Sequence, residues 1–331
     1  MKKMTKFVSV ALASVMALSL AACGTSAPEN EGTQATGGSA EGTVYQVGIC
    51  QLVEHPALDA ATEGFQAALK DKLGDQVEFD LQNAQGDSPT CSTICTTFVA
   101  NDYDLILANA TPALQAAVAA TSDIPILGTS VTDYATALSI DDWSGTTGMN
   151  VSGTSDLAPL DKQAECIKEL FPDAATVGIL YCSAEPNSLY QANVISESLT
   201  GMGYSVKTFT FADSNDVASV TQSACDECDV LYIPTDNTAA SCTEAINNVA
   251  TKPIFAGEEG ICSGCGVATL SIDYYDIGYQ AGLMAYEILA NGADPATMEV
   301  KFAPEVVKKY NPANVDKYAL TIPEDYVAIG E

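Results

Sequence analysis

The sequence predicts an α/β protein built as two similar lobes, each a parallel β-sheet flanked by helices. Three observations point there: β-branched runs alternate with helix-period segments, the plan restarts in the second half, and the strands end in polar tips. The first predicted strand is Val44 to Gln51, followed by a helix from Pro56 to about Lys72. Val77 to Gln82 is the next strand, and Cys91 to Ala100 sits in the helix after it. Asp104 to Ala108, a helix from Pro112, and the strand Ile124 to Gly128 continue the alternation.

Then the order repeats. Val47-Gly48-Ile49 returns as Val177-Gly178-Ile179, 130 positions on, and Asp104-Leu105-Ile106-Leu107 returns as Asp229-Val230-Leu231-Tyr232, 125 positions on. Ile124-Pro125-Ile126-Leu127 finds its counterpart in Lys252-Pro253-Ile254-Phe255. A period this long means two related lobes rather than a solenoid. Parallel sheets take ligands beyond the carboxyl ends of their strands, so a site is expected in the loops that follow each strand.

Ahead of the lobes, Lys2, Lys3 and Lys6 precede an apolar run from Phe7 to Leu20. That run falls short of the roughly 20 residues a spanning helix needs, and with its basic flank it reads as a secretory signal over residues 1–22. Leu20-Ala21-Ala22-Cys23 resembles a bacterial lipobox, in which the cysteine takes the lipid and becomes the new N-terminus. Residues 23–43 hold no aromatic or large aliphatic side chain before the first strand and read as a lipidated flexible tether.

The formal charge is −30, and removing the signal lysines makes the mature chain more negative still. Phosphate contacts need basic side chains, so nucleic acid is excluded as a partner. Every basic residue is lysine; the chain contains no arginine.

The tips are rich in hydroxyls, amides and carboxylates and free of lysine. Lobe one offers His55, Asn83, Thr111 and Ser130; lobe two offers Asn187, Asp236, Asn237 and Glu258. The connecting segment adds Thr154 and Asp156, and Asp273 stands at a crossing between lobes. These eleven are the candidate ligand-binding residues. Several also open helices, where Asn187, Ser188 and Asn237 serve equally well as N-caps. Without a guanidinium fork, an anionic group must rely on hydroxyls such as Thr111 and Ser130 and on helix N-termini. Asp156, Asp236, Glu258 and Asp273 are each suited to an ammonium. A zwitterion such as an amino acid fits that distribution better than a polyanion, while neutral sugars and nucleosides stay open. Asp236 is expected to meet the ligand, so that its loss weakens binding more than folding.

Catalysis is not expected. His55 is the only histidine, and there is no G-x-S-x-G elbow, P-loop or G-x-G-x-x-G order. No cofactor and no metal are expected. Cys225 and Cys228 precede one strand while Cys262 and Cys265 follow another, which places the two C-x-x-C pairs about a strand length, ~17 Å, apart. Cys91 and Cys95 face one way on a helix without disulfide geometry, and a local Cys262–Cys265 bridge is the leading disulfide expectation. For Trp143, packing is expected. For Tyr274 and Tyr275, an aromatic wall of the site competes with hinge packing.

The stretch Gln51-Leu52-Val53-Glu54-His55-Pro56-Ala57-Leu58-Asp59 is similar to the substrate-binding lipoproteins of ABC transporters, in the group of tryptophan and tyrosine importers. Asn109-Ala110-Thr111-Pro112, Ser152-Gly153-Thr154-Ser155-Asp156, Pro234-Thr235-Asp236-Asn237-Thr238, Gly257-Glu258-Glu259 and Ile272-Asp273-Tyr274-Tyr275 strengthen the resemblance, which runs from the lipobox to about residue 300. It implies a type I periplasmic-binding-protein fold with three crossovers. Lobe one is then 44–152 with 272–300, and lobe two is 153–271 with 301–331. It also implies a monomer held to the outer face of the cell membrane by lipid on Cys23. This subunit would capture a small zwitterion, an amino acid and within that class an aromatic one, by hinge closure. It would deliver that cargo to an ABC permease with its ATPase. The alternatives are a sugar or nucleoside receptor of the same fold and, further off, an exported thiol oxidoreductase. The C-x-x-C pairs depart from the family pattern.

Overall fold

In a computed structural model that describes residues 44–330, the chain forms two sheets, one per lobe. Residues 1–43, with the expected signal, lipobox cysteine Cys23 and tether, lie outside the described residues. The first half runs β1 (Tyr45–Gln51), α1 (Pro56–Leu73), β2 (Val77–Asn83), α2 (Ser88–Ala100), β3 (Leu105–Asn109), α3 (Thr111–Ala120), β4 (Ile126–Val131), α4 (Tyr134–Leu138) and β5 (Val151–Ser155). The second continues with α5 (Leu160–Leu170), β6 (Thr176–Cys182), α6 (Pro186–Gly201), β7 (Ser205–Phe211), α7 (Val217–Glu227), β8 (Val230–Ile233), α8 (Asn237–Ser241), α9 (Thr243–Val249), β9 (Ile254–Ala256), α10 (Glu259–Gly264) and β10 (Ala268–Ser271). Then α11 (Tyr274–Asn291) and β11 (Lys301–Phe302) precede β12 (Val307–Tyr310), α12 (Pro312–Lys317) and β13 (Val327–Ala328).

The six-stranded sheet has the order β11-β5-β4-β3-β1-β2, and the seven-stranded sheet β13-β12-β10-β9-β8-β6-β7. The segments β4-β3-β1-β2 and β9-β8-β6-β7 are the same arrangement twice. All pairings of the first sheet are parallel; in the second, β12 alone runs antiparallel to its neighbour β10. Central strands covered on both faces need continuous apolar runs. Leu105 to Asn109 and Val230 to Ile233 accordingly bury every residue, while edge strand β2 leaves Leu81 exposed.

Each sheet is packed on both faces. On one side of the first lie Phe98 and Leu114 from α2 and α3; on the other lie Phe65 and Leu69 of α1 with Met284 of α11. Helices α1 and α11 approach so closely that a Cβ on Gly64 or Gly278 would collide with the backbone of Tyr275 or Ala61. The pair can pack only because those positions have no side chain. By this contact α11, which follows the second sheet in sequence, belongs with the first.

Residues Val151–Ser155 lie wholly in the first sheet, with Ser155 paired to Val131, and β11 pairs with β5 at Thr154 and Ser155. The chain therefore passes between sheets after Ser155, Ser271 and Phe302. The first passage falls a few residues beyond 152/153, because β5 keeps pairing with β4 to its end.

All ten cysteines outside residues 1–43 are free thiols. The expected Cys262–Cys265 bridge does not form: Cys265 caps the end of α10, and its thiol donates to the Ile261 carbonyl at 3.4 Å. Cys225, Cys228, Cys262 and Cys265 share one apolar cluster behind the second sheet, and burial raises the thiol pKa of Cys228, Cys262 and Cys265. Among the described residues no group of three or more His, Cys, Asp or Glu side chains is arranged to hold a metal ion. Trp143 stacks on Tyr134, with centroids 6.5 Å apart, and packs against the core of lobe one.

Candidate functional site

The tips of both sheets face each other around a buried polar cluster. At its centre is Asp156, just past β5 and 3% exposed. Its carboxylate accepts from the Thr132 hydroxyl at 3.0 Å and from the Tyr274 hydroxyl at 3.1 Å. Both partners are neutral; no cation answers this charge among the described residues. Burial pushes its carboxyl up to about 6, with the two hydroxyl donors opposing the shift.

Several buried polar atoms of both lobes have no partner within the protein. They are Asn109 Oδ1 and Ser130 Oγ near the ends of β3 and β4, His55 Nδ1, Thr111 Oγ and Asn187 Oδ1 at the starts of α1, α3 and α6, and Thr269 Oγ inside β10. Native interiors pair such groups, so orphans at the ligand-binding ends of parallel strands mark where a ligand's own donors and acceptors belong. The backbone supports this. Ala110 and Ser130 hold φ values of 94° and 54°, a region L-residues enter at a cost, and they adjoin or carry the orphaned hydroxyls of Thr111 and Ser130. The tips of β3, β4 and β5 are neighbours in the sheet, which sets Thr111, Ser130 and Asp156 side by side.

Two other candidate acids are fully occupied. Asp236 accepts from the backbone amides of Ala239 (2.7 Å) and Cys182 (2.7 Å), so it caps α8 and ties that helix to the end of β6. Burial, and then the neighbouring Glu185 charge, push its carboxyl up to about 8. Glu258 caps α10 through the amides of Gly260 (2.6 Å) and Ile261 (2.5 Å), and burial raises it to about 7. Thr154 gives its hydroxyl to Thr129 at 3.0 Å, inside the sheet. Asn83 ends β2, half-buried, and its side chain accepts from Gln85 N at 2.7 Å in the turn that follows. Asp273 is exposed and caps α11 through Asp276 N at 3.1 Å. Of the eleven candidates, His55, Thr111, Ser130, Thr154, Asp156, Asn187, Asp236, Asn237 and Glu258 are buried, Asn83 is half-buried, and Asp273 is exposed and lines the cavity beside α1.

Sequence reasoning did not select Glu185, Asn109 or Thr132, and weighed Tyr274 as an aromatic wall of the site or hinge packing rather than as a hydrogen-bond donor. Glu185 is 5% exposed and organises the tip of lobe two. Its oxygens take Asn237 Nδ2 (2.7 Å), Thr238 N (2.8 Å), Thr238 Oγ (2.7 Å) and Asn187 Nδ2 (3.2 Å). The signal available was its place directly before Pro186 at a helix start. Tyr274 turns its hydroxyl to Asp156, whereas Tyr275 faces outward against Tyr279.

A cavity of about 380 Å³ adjoins this cluster between α1 and α10, with Ala57, Ala60, Ile272 and Tyr274 in its wall. A second, of about 300 Å³, opens at the other mouth between Asp87 and Asp213.

Residues 46–329 match the family model described as ABC transporter substrate binding protein. The chain belongs to that family. A tyrosine-binding protein of Clostridioides difficile is 39% identical over 298 residues, covering 87% of this chain and 85% of the relative. Among solved structures, a domain from Streptococcus pneumoniae in complex with L-Trp is 33% identical with a TM-score of 0.81, covering 85% of this chain and 97% of its own. A ligand-free, open substrate-binding protein with adhesive properties from Clostridium difficile is 37% identical with a TM-score of 0.67, covering 86% and 99%. This family member has the type I periplasmic-binding-protein fold. It is a solute-binding transport protein, not an enzyme. Its lobes stand closed, with His55 of lobe one 3.2 Å from Asn237 of lobe two. The higher TM-score against the ligand-bound structure, despite lower identity, agrees with that closure.

Proposed function

We propose that this protein captures a free amino acid, an aromatic one in the first instance, and closes over it at the hinge. The observation that carries the reading is Asp156: a buried carboxylate held by two neutral hydroxyls, beside orphaned hydroxyls and amide oxygens. An α-ammonium supplies the missing cation there, where a charge-assisted hydrogen bond is stronger than a neutral one. The carboxylate falls to Thr111 and Ser130. Helix α3 starts beside them with no side-chain cap on its amides. Asn187 Oδ1 accepts a second ammonium hydrogen from lobe two. The 380 Å³ cavity, where Ala57, Ala60, Ile272 and Tyr274 stand beside Glu258, Glu259 and Asp273, has room for a ring. The names of the relatives, which bind tyrosine and tryptophan, support the same class.

The proposal extends to placement. Residues 1–22 act as the export signal and Cys23 carries the lipid. The monomer then works outside the cytoplasm, tethered by 23–43, and hands its cargo to a permease with its ATPase. For the lobes we keep the assignment by sheet, with α11 and β11 in lobe one and the remainder after Phe302 in lobe two.

A thermal-shift screen against amino acids, nucleosides and sugars tests the ligand class, because a bound ligand raises apparent stability. L-tyrosine or L-tryptophan should stabilise the protein. Stabilisation by a nucleoside or sugar, with no response to amino acids, would replace this reading by a receptor for that class.

A further inference from the structure

We propose that His55 is a positioning residue for capture: a neutral imidazole that latches lobe one to the Asn237 amide of lobe two and sets the lifetime of the closed form. This rests on the amino-acid reading above but concerns closure rather than ligand contact. It joins the loop after β1 to the α8 tip of lobe two, while the Thr132–Asp156 bond lies at the first crossing between the lobes. It is also the only histidine in the chain.

The protonation state follows from the neighbours. Glu185 takes both Asn237 Nδ2 (2.7 Å) and Asn237 N (3.0 Å), so the amide nitrogen points at the carboxylate. Asn237 Oδ1 is then the atom that faces His55, and an oxygen acceptor obliges the imidazole to donate from Nε2. A neutral ring keeps its lone pair on Nδ1, which is buried without a partner. A second proton there would place an unanswered charge inside the closed interface.

The charged groups acting on the ring are Glu185, behind Asn237 on lobe two, and Asp59 on α1. Both favour the cation, yet burial outweighs them and holds the imidazole below its ordinary value. If opening exposes the ring to water, the imidazole regains its ordinary basicity. The closed form therefore binds fewer protons. Closure is favoured at neutral and higher pH and weakens as pH falls through the ordinary imidazole range.

Asp156 titrates in the same region, so the wild-type profile is a sum, and the variants must separate the two. The experiment measures affinity and dissociation rate for L-tyrosine and L-tryptophan from pH 5 to 8, with melting temperatures of the ligand-free proteins. His55→Ala should speed dissociation about tenfold at pH 7.5 with little change in association, the loss of one hydrogen bond. His55→Gln still donates to Asn237 but cannot titrate. It should keep most of the affinity and show a shallower decline between pH 7 and 5.5. A wild-type pH profile in His55→Gln, or an unchanged dissociation rate in His55→Ala, would overturn the latch. Melting temperatures close to wild type separate a latch from a folding defect.

If wild type binds neither amino acid, the cargo reading fails, and the latch is read by small-angle scattering alone. The radius of gyration should then grow from pH 7.5 to 5.5 in wild type but not in His55→Gln, and equal behaviour overturns it.

Discussion

Asp104 and Asp229 occupy the same place in the two lobes and perform the same task. Asp104 accepts from Gln46 N at the start of β1, and Asp229 from Ala175 N and Thr176 N at the start of β6. At the amino ends of the sheets the duplication thus extends to single hydrogen bonds. At the opposite ends it breaks down. Lobe two finishes its tips internally: Asp236 and Glu258 cap α8 and α10, and Glu185 gathers the amides of Asn237 and Thr238. Lobe one leaves α1 and α3 uncapped behind His55 and Ala110 and orphans Thr111 Oγ, Ser130 Oγ and Asn109 Oδ1. Four of the six orphaned atoms, on His55, Asn109, Thr111 and Ser130, belong to lobe one, and two, on Asn187 and Thr269, belong to lobe two. The order of events this implies is ligand first on lobe one, then closure of a preassembled lobe two.

The strongest way to break that comparison is Asp156→Asn. If the ammonium lands there, affinity for the amino acid should fall about 10- to 100-fold by calorimetry, the worth of a hydrogen bond to a charged group. Unchanged affinity would remove Asp156 from the site. Acid should mimic the variant. The ammonium lowers the carboxyl from its ligand-free value of about 6, so binding releases a proton and affinity falls as pH drops below that value. Ligand-free stability should move the other way. Asp156, Glu258 and Asp236 are raised to about 6, 7 and 8, so the fold binds protons that the unfolded chain gives up near pH 4. That stabilisation is complete below about pH 4 and is lost as pH rises through the folded values. His55, depressed in the fold, opposes it singly. The melting temperature without ligand should therefore rise between pH 8 and 5, and a flat or falling curve would contradict these burials.

Asp236→Ala comes next and should act on the fold. Removing the group that holds Ala239 N and Cys182 N should cost about 2 kcal/mol of stability, from a lost cap and a stranded amide. Denaturant unfolding measures it. A large loss of affinity at unchanged stability would return Asp236 to the ligand, as its sequence position suggests. Gly278→Ala offers a control far from the cleft. Its methyl collides with the Ala61 backbone, so about 1–3 kcal/mol of stability should be lost.

Much of the architecture was legible because it rests on local periodicity and on the repeat. β1, α1 and β3 lie within a residue or two of where Val44 to Gln51, Pro56 to Lys72 and Asp104 to Ala108 put them. The site was legible as a set of tips but not as a division of labour. Asp156 and Asp236 look alike in sequence, each in a polar segment after a strand. What separates them is whether an amide reaches the carboxylate, and that depends on the path of the backbone. Glu185 was hidden for the same reason, since its role comes from Asn237 and Thr238, some fifty positions away. The Cys262–Cys265 expectation failed because nearness in sequence does not orient two thiols toward each other; the turn of α10 directs Cys265 to the Ile261 carbonyl instead.

The smallest effect is the most discriminating. Thr111 and Ser130 carry buried hydroxyls that the protein itself does not satisfy. In an ordinary core position, removing a hydroxyl loses a hydrogen bond and destabilises. Here, Thr111→Val and Ser130→Ala remove groups whose desolvation the ligand-free fold bears without return, so stability should hold or rise by a few tenths of a kcal/mol. Affinity should fall about tenfold for each, near the lower end for a hydrogen bond to a charged group. The matching change in lobe two, Ser188→Ala, removes a hydroxyl that already donates to Thr235 O at 3.4 Å. It should lower stability slightly and leave affinity nearly unchanged. If Thr111→Val destabilises as Ser188→Ala does, the hydroxyl has a partner within the protein and lobe one is as finished as lobe two. If the two variants diverge in sign, the unequal finish of the lobes is itself the binding determinant.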